Sequence, residues 1–282
     1  MNVKTRSRTG RDQVTSWRAP VAPLIVCLLI ALVASLVLAT GFGPSSVSPG
    51  TVVDVLMAHL TGSPDAPQTA NTIVWNIRAP RVLLGSFVGA GLALAGSVIQ
   101  TLVRNPLADP YLLGISSGAS VGATAVITFG ILSGFGLWST SIGALFGALG
   151  AALAVYLVAM AQGGLTPIRL VLAGVVLSSA FSAIASFLVF KGPDPRAAQS
   201  VLHWLDALAN GPDVAASLGV PVKQARNAVF VLQALLVGAL VAVVGGVGFV
   251  GLIVPHLARL MVGARHRCVL PVAALMGALF MV

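Results

Sequence analysis

The sequence predicts an all-α, polytopic transmembrane helical bundle. Three observations carry that reading: 57% of the residues are hydrophobic, only 8% are charged, and the apolar residues lie in long runs parted by short polar breaks. A soluble domain carries about 25% charged residues, so this chain cannot clothe a water-facing surface. Sixteen lysines and arginines against seven acidic residues give a formal charge of +9. The basic residues, however, sit in the N-terminal tail and between apolar runs. That is the positive-inside pattern of a multi-pass protein of the inner or plasma membrane with a cytoplasmic N-terminus, and it implies membrane lipid as a partner. Nucleic acid is not implied, because no recognisable binding module accompanies the charge.

Residues 1–20 form a basic tail with Lys4, Arg6, Arg8, Arg11 and Arg18. The apolar run after it, 21–41, matches the roughly 20 residues that cross a bilayer, and no clear small-residue cleavage site follows, so an uncleaved first span is expected. Val52, Val53, Leu56, Met57 and Leu60 then have helical spacing and predict a short surface helix. Arg78-Ala79-Pro80-Arg81 stands at the mouth of the second span, 82–102. Further spans are expected at 111–132, 137–160 and 168–190. The fourth, 137–160, carries Gly143 with Gly147 and Ala148 with Ala152 at a four-residue spacing that lets helices approach closely. Later apolar segments are 227–247, a short proline-broken 249–263, and 268–282. The last is about 15 residues and rises only about 22 Å, against a hydrocarbon core of about 30 Å. Residues 21–282 therefore read as one transmembrane domain whose final span is expected to be cut short.

Between the second and third spans lies a polar hinge, 100–119. Pro106 and Pro110 stop one helix and set the angle of the next, since each lacks an N–H and clashes with the preceding turn. Small residues from Gly114 onward start the next helix. Downstream, the topology fails to close. Between Phe190 and Val220 no apolar run approaches a crossing length, yet Lys223 and Arg226 should lie inside. A span is absent there or the orientation is irregular.

No catalytic, cofactor or metal constellation stands in the sequence. His256 and His266 lie ten apart and, with Cys268 alone nearby and no glutamate, make no zinc ligand set; no serine triad pattern exists, and no G-x-x-x-x-G-K-[ST] loop binds nucleotide. Cys27 and Cys268 offer neither a disulfide framework nor a CxxC site. The expectation is a transporter subunit rather than an enzyme, with no cofactor and an energy source in a partner.

The order of motifs sharpens this. Arg78-Ala79-Pro80-Arg81, then Gly91, Gly96, Gln100, Arg104-Asn105-Pro106-Leu107-Ala108-Asp109-Pro110 and Gly114-Ile115-Ser116-Ser117-Gly118-Ala119 resemble the FecCD-type permeases of ABC importers for iron-siderophores, haem and vitamin B12. Leu172-Ala173-Gly174, the stretch 213–219 and Gly248-Phe249-Val250-Gly251-Leu252-Ile253-Val254-Pro255-His256-Leu257-Ala258-Arg259 extend the resemblance. It implies a type II importer permease fold working as a dimer with a second copy or a paralogue. Its partners would be ABC ATPase subunits and a periplasmic or lipoprotein substrate-binding protein. Arg78 and Arg81 correspond to arginines that dock the binding protein; simple headgroup anchoring is the alternative. Asp213, Ala215, Ala216 and Gly219 match the helix that couples to the ATPase, although Pro212 stands where relatives carry an acidic residue. Gln100, Asn105, Pro106, Gly114, Ser116 and Gly118 are candidates for the pathway and its gate, with Asn105 alternatively a cap. Pro255, His256 and Arg259 are expected to be structural. Relatives also have a further crossing after the position of Trp204 and continue past that of Val282, so this chain reads as short in both places. The substrate implied is a ferric siderophore, or haem or cobalamin. Two rival classes remain: a secondary transporter, which would want intramembrane charges that are missing, and an inactive or regulatory permease fragment.

Overall fold

The computed structural model describes residues 20–43, 45, 47–62, 67–191 and 222–282, and every regular element among them is helical. Helices satisfy their own backbone groups, which is what a chain surrounded by hydrocarbon requires. α1 (Val21–Gly41) is apolar throughout. α2 (Pro49–Thr61) begins where the Ser48 hydroxyl accepts the Thr51 N–H, has proline in its first position, and ends on Gly62 at φ 74°. α3 (Gln68–Asn71) widens into a π-helix over Thr72–Arg78 and continues without a break as α4 (Ala79–Val103). The second expected span is thus the inner part of a 36-residue helical element from Gln68 to Val103.

The third expected span is built differently. A 3-10 turn, Pro110–Leu113, leads into α5 (Ile115–Phe129), and its 15 residues rise only about 22 Å. A 3-10 segment, Ser133–Trp138, then passes into α6 (Ser139–Ala161), followed by α7 (Pro167–Lys191). Past the gap come α8 (Val222–Val244), α9 (Val250–Val262) and α10 (His266–Met281). Among the described residues five helical elements are long and apolar enough to cross a membrane, while α5, α9 and α10 are shorter apolar helices. The basic tail up to Ala19 and the expected coupling residues Asp213, Ala215, Ala216 and Gly219 lie outside the described residues.

α4 holds the bundle together because its two flanks enter two different cores. Ala95, Ile99 and Val103 pack with α5, α6, α7 and α8, among them Ile115, Val155, Leu170 and Val237. Val88, Leu92 and Ala93 pack with α9 and α10 through Val250, Val254, Val269 and Val272. α1 lies against α10 on the far side.

Glycine lets these helices meet backbone to backbone. A methyl group at Gly122 would overlap the Gly143 carbonyl, and one at Gly147 would overlap that of Gly118, so the four-residue glycine spacing read in α6 is the seam with α5. α4 meets α10 the same way at Gly89 and Gly277, and meets α9 at Gly96 and Gly251. With no hydrophobic drive between helices in lipid, such close approach supplies the dispersion contacts that hold the bundle.

Gly96→Ala should therefore push α4 and α9 apart and cost on the order of 3 kcal/mol, read as lost thermal stability and monodispersity in detergent. Gly150→Ala, where nothing lies within 4 Å of the added carbon, should be neutral or slightly stabilising. Equal losses at the two positions would contradict the packing.

Candidate functional site

The hinge starts as a left-handed helix end. Arg104 takes φ 51°, its N–H reaches the Thr101 carbonyl at 3.3 Å, and the Asn105 N–H reaches the Gln100 carbonyl at 3.0 Å. This is a Schellman ending with arginine in the place usually given to glycine. Two side-chain caps then steer the chain. Asn105 Oδ1 accepts the Leu107 N–H and Asp109 Oδ1 accepts the Tyr111 N–H, each at 2.8 Å. The Asn105 side chain serves a local turn, and Pro106 beside it is exposed.

From there the chain runs back into the bundle. Ala108, Asp109 and Pro110 are buried, and a methyl added to Gly251 would stand 2.6 Å from the Pro110 ring and 3.0 Å from the Leu92 carbonyl. Leu92 lies 11 residues before the end of α4, a helical rise of about 16 Å. Seven residues from Val103 to Pro110 cover that distance. The hinge is re-entrant: it climbs alongside α4 to reach α9. The Tyr111 hydroxyl fastens it by accepting the Val247 N–H at 3.1 Å, at the loop between α8 and α9.

Gln100 explains why α9 tolerates its proline. Pro255 has no N–H to give the Gly251 carbonyl one turn earlier. The Gln100 amide donates to the carbonyls of Gly251 at 3.3 Å and Leu252 at 2.9 Å. Its own Oε1 is buried and has no partner among the described residues. Phe249, which opens α9, sits at φ 68°, a strained value for a bulky residue.

The other residues singled out in the sequence are dispersed. Gly114, at φ 70°, opens α5 against Gly174 and Ser178 of α7. Gly118 lies in the α5–α6 seam. Ser116 is buried and its hydroxyl has no partner among the described residues. Gln100, Gly114 and Gly118 thus face three different helices, and Asn105 and Pro106 stand at the turn. Arg78 is 8% exposed, and its guanidinium donates to the carbonyls of Thr40, Gly41 and Ser45, closing the end of α1. Arg81 is exposed. Arg259 Nε donates to the Pro255 carbonyl at 3.2 Å, within α9, while His256 is half-buried on the same helix.

Three participants escaped the reading of the sequence. Tyr111 is the bridge to the α8–α9 loop. Gln233 of α8, 2% exposed, donates to the Ala95 carbonyl of α4 at 3.0 Å. A lone glutamine in an apolar helix must find an acceptor, so that signal was present. His59 stacks on Trp75 with ring centroids 4.0 Å apart, joining α2 to the π-helix. Among the described residues no group of three or more His, Cys, Asp or Glu could hold a metal ion.

A re-entrant hinge, a glutamine across to a proline-containing helix and glycine-sealed crossings meet a matching family pattern. The FecCD transport family model matches residues 28–207 and 201–282. The chain belongs to the FecCD transport family. It is 37% identical over 249 residues to a cobalamin import system permease protein of Halobacterium salinarum, covering 77% of this chain and 66% of that protein, just under two thirds of its length. To a hemin transport system permease protein of Yersinia pestis it is 39% identical over 241 residues, covering 73% of this chain and 72% of the relative. Among solved structures, an inward-facing conformation of a metal-chelate type ABC transporter superposes with a TM-score of 0.74 at 28% identity, covering 92% of this chain and 88% of that one. The expected fold, a helical membrane permease, stands on this match, and so does the family resemblance.

Gln100→Leu should cost about 1–3 kcal/mol by leaving the Gly251 carbonyl without a donor. In the double variant with Pro255→Ala, which restores an N–H for Gly251, that penalty should shrink; additive losses in a thermal-stability cycle would refute the pairing.

Proposed function

We propose that the chain is the membrane permease subunit of a binding-protein-dependent ABC importer, carrying a metal chelate inward with energy from a separate ATPase. The observation that carries this reading is the family match over nearly the whole described chain. Relatives named for cobalamin and for hemin support a metal chelate as the substrate; a ferric siderophore is the third candidate and the one we favour. The pathway would open and close as the re-entrant hinge and α9 shift against α4. Gln100, Asn105, Pro106, Gly114, Ser116 and Gly118 would act in that movement chiefly as packing and turn residues.

The partners proposed are a second permease copy or paralogue, two ATPase subunits and a substrate-binding protein. Docking of the binding protein would rest on Arg81 rather than Arg78, because the Arg78 guanidinium is spent on the end of α1. An exposed rim charge steers encounter more than it sets affinity. Coupling to the ATPase would fall to 213–219, with the N-terminus on the same, cytoplasmic side of the membrane.

One observation favours a second reading. The family match comes in two pieces, 28–207 and 201–282, which meet where the topology of the sequence fails to close. A chain lacking one crossing there would carry 213–219 to the wrong face, and would be inactive without rearrangement.

Both readings are tested by reconstituting the chain with the ATPase and binding protein into proteoliposomes. ATP-dependent uptake of ferric siderophore, haem or cobalamin is the expected result for a working permease. Uptake only after a span of about 20 apolar residues is inserted behind Trp204 would establish the second reading. Uptake abolished by a protonophore and indifferent to ATP would reject both.

A further inference from the structure

α2 is too short to cross a membrane, and its 13 residues carry three different stripes. Val52 and Val55 are buried against Val74 of the π-helix, and His59, in the same row, stacks on Trp75. The His59 Nδ1–H donates to the Val55 carbonyl at 3.0 Å, which holds the ring in that stack. Val53, Met57 and Leu60 recur at helical spacing on a second stripe, and all three are exposed, Leu60 by 79%. Thr51, Asp54 and Thr61 stand on a third. At 3.6 residues per turn the stripes lie roughly a third of a turn apart. One packs, one is apolar and free, and one is polar. A helix with a free apolar stripe beside a polar one has the form that lies in a membrane interface.

Depth decides what the free stripe meets. α1 is 21 residues long, and Thr40 is the only one of them buried. Its rise of about 31 Å matches a hydrocarbon core of about 30 Å, so Gly41 stands at the edge of the hydrocarbon. α2 is pinned to that level twice. A methyl group at Gly41 would stand 3.8 Å from Val52 Cγ2, and the Arg78 guanidinium, bonded to the carbonyls of Thr40, Gly41 and Ser45, sets the π-helix against the same end. Val74, on which α2 packs, is about one turn beyond Arg78, a rise of roughly 5 Å. That is the headgroup layer. Phe42 and Trp75 are exposed beside it, at the depth where aromatic rings are favoured.

We propose that α2 is an interfacial membrane anchor. Val53, Met57 and Leu60 dip between the lipids of the leaflet that receives the end of α1, while Thr51, Asp54 and Thr61 face water. The occupant is lipid rather than the binding protein or a second copy. The stripe holds no charged side chain, and it adjoins the lipid-facing surface of α1, where Leu38 and Phe42 are both more than half exposed. Through Val74 and the His59–Trp75 stack, α2 then fixes the depth of the helical element Gln68–Val103 around which the bundle is built. The placement rests on the permease reading, in which α1 crosses the membrane.

Spin labels on single cysteines, in the full chain lacking Cys27 and Cys268 and reconstituted into phosphatidylcholine vesicles, test this directly. Collisions with oxygen, which concentrates in lipid, are compared with those of a nickel chelate, which stays in water. The oxygen-to-nickel ratio should be severalfold higher for labels at Val53, Met57 and Leu60 than for labels at Asp54 and Thr61. A label at Leu38 reports on α1 and should also be oxygen-dominated. Nickel-dominated collisions at 53, 57 and 60 would put the stripe in water, and weak collisions with both reagents would put it beneath protein. With Leu38 still in lipid, either result overturns the anchor alone. Nickel-dominated collisions at Leu38 would overturn the crossing of α1, and the anchor with it.

Discussion

The Gly251 carbonyl is the point on which the described bundle turns. It lies against Gly96 of α4, in a gap that admits no methyl group, while the Pro110 ring closes on the Gly251 α-carbon from the other side. Three stretches far apart in sequence meet there with almost nothing but backbone between them. Close approach of this kind is strong because dispersion falls off within a fraction of an ångström. It is also intolerant, since neither helix can slide without opening a void. α4 owes its central position to this contact and to its counterpart with Gly277.

Polar groups complete what glycine begins. The same carbonyl would be left without a donor by Pro255, and the Gln100 amide supplies one. Gln233 makes the corresponding reach from α8 to the Ala95 carbonyl, and Tyr111 ties the re-entrant hinge to the loop before α9. In hydrocarbon every such group must be answered within the protein. These contacts tie α9, the hinge and α4 to one another, so in the proposed transport cycle a rearrangement of one would be felt by the others. The buried and unpartnered Gln100 Oε1 and Ser116 hydroxyl are the weak places in that set, and the strained Phe249 is another.

Much of this was legible in the sequence because it follows from local rules. α1, α6 and α7 fall over apolar runs of crossing length, and Gly143 with Gly147 announced a close seam whose partner strand of glycines, Gly118 and Gly122, lay in plain view. The prolines and the Asn and Asp caps marked the hinge. What could not be read was its direction. A turn outside the bundle and a segment folded back into it use the same residues, and only the distant Gly251 decides between them. Gln100 likewise was legible only as a pathway candidate, because the acceptors of its amide lie 151 and 152 residues away. Arg78 looked like a surface charge because the carbonyls it serves, 33 to 38 residues earlier, are made available only by the end of α1. The π-helix that presents it had no signal in the composition.

The re-entrant hinge is the central claim, and cysteine accessibility tests it most directly. In a background lacking Cys27 and Cys268, single cysteines at Leu107, Ala108 and Leu113 would be exposed to a membrane-impermeant maleimide. Leu107 is 60% exposed, while Ala108 and Leu113 are fully buried. The cysteine at 107 should react at once, and those at 108 and 113 only after denaturation. Equal labelling at all three positions would make the stretch an ordinary surface turn and contradict the account.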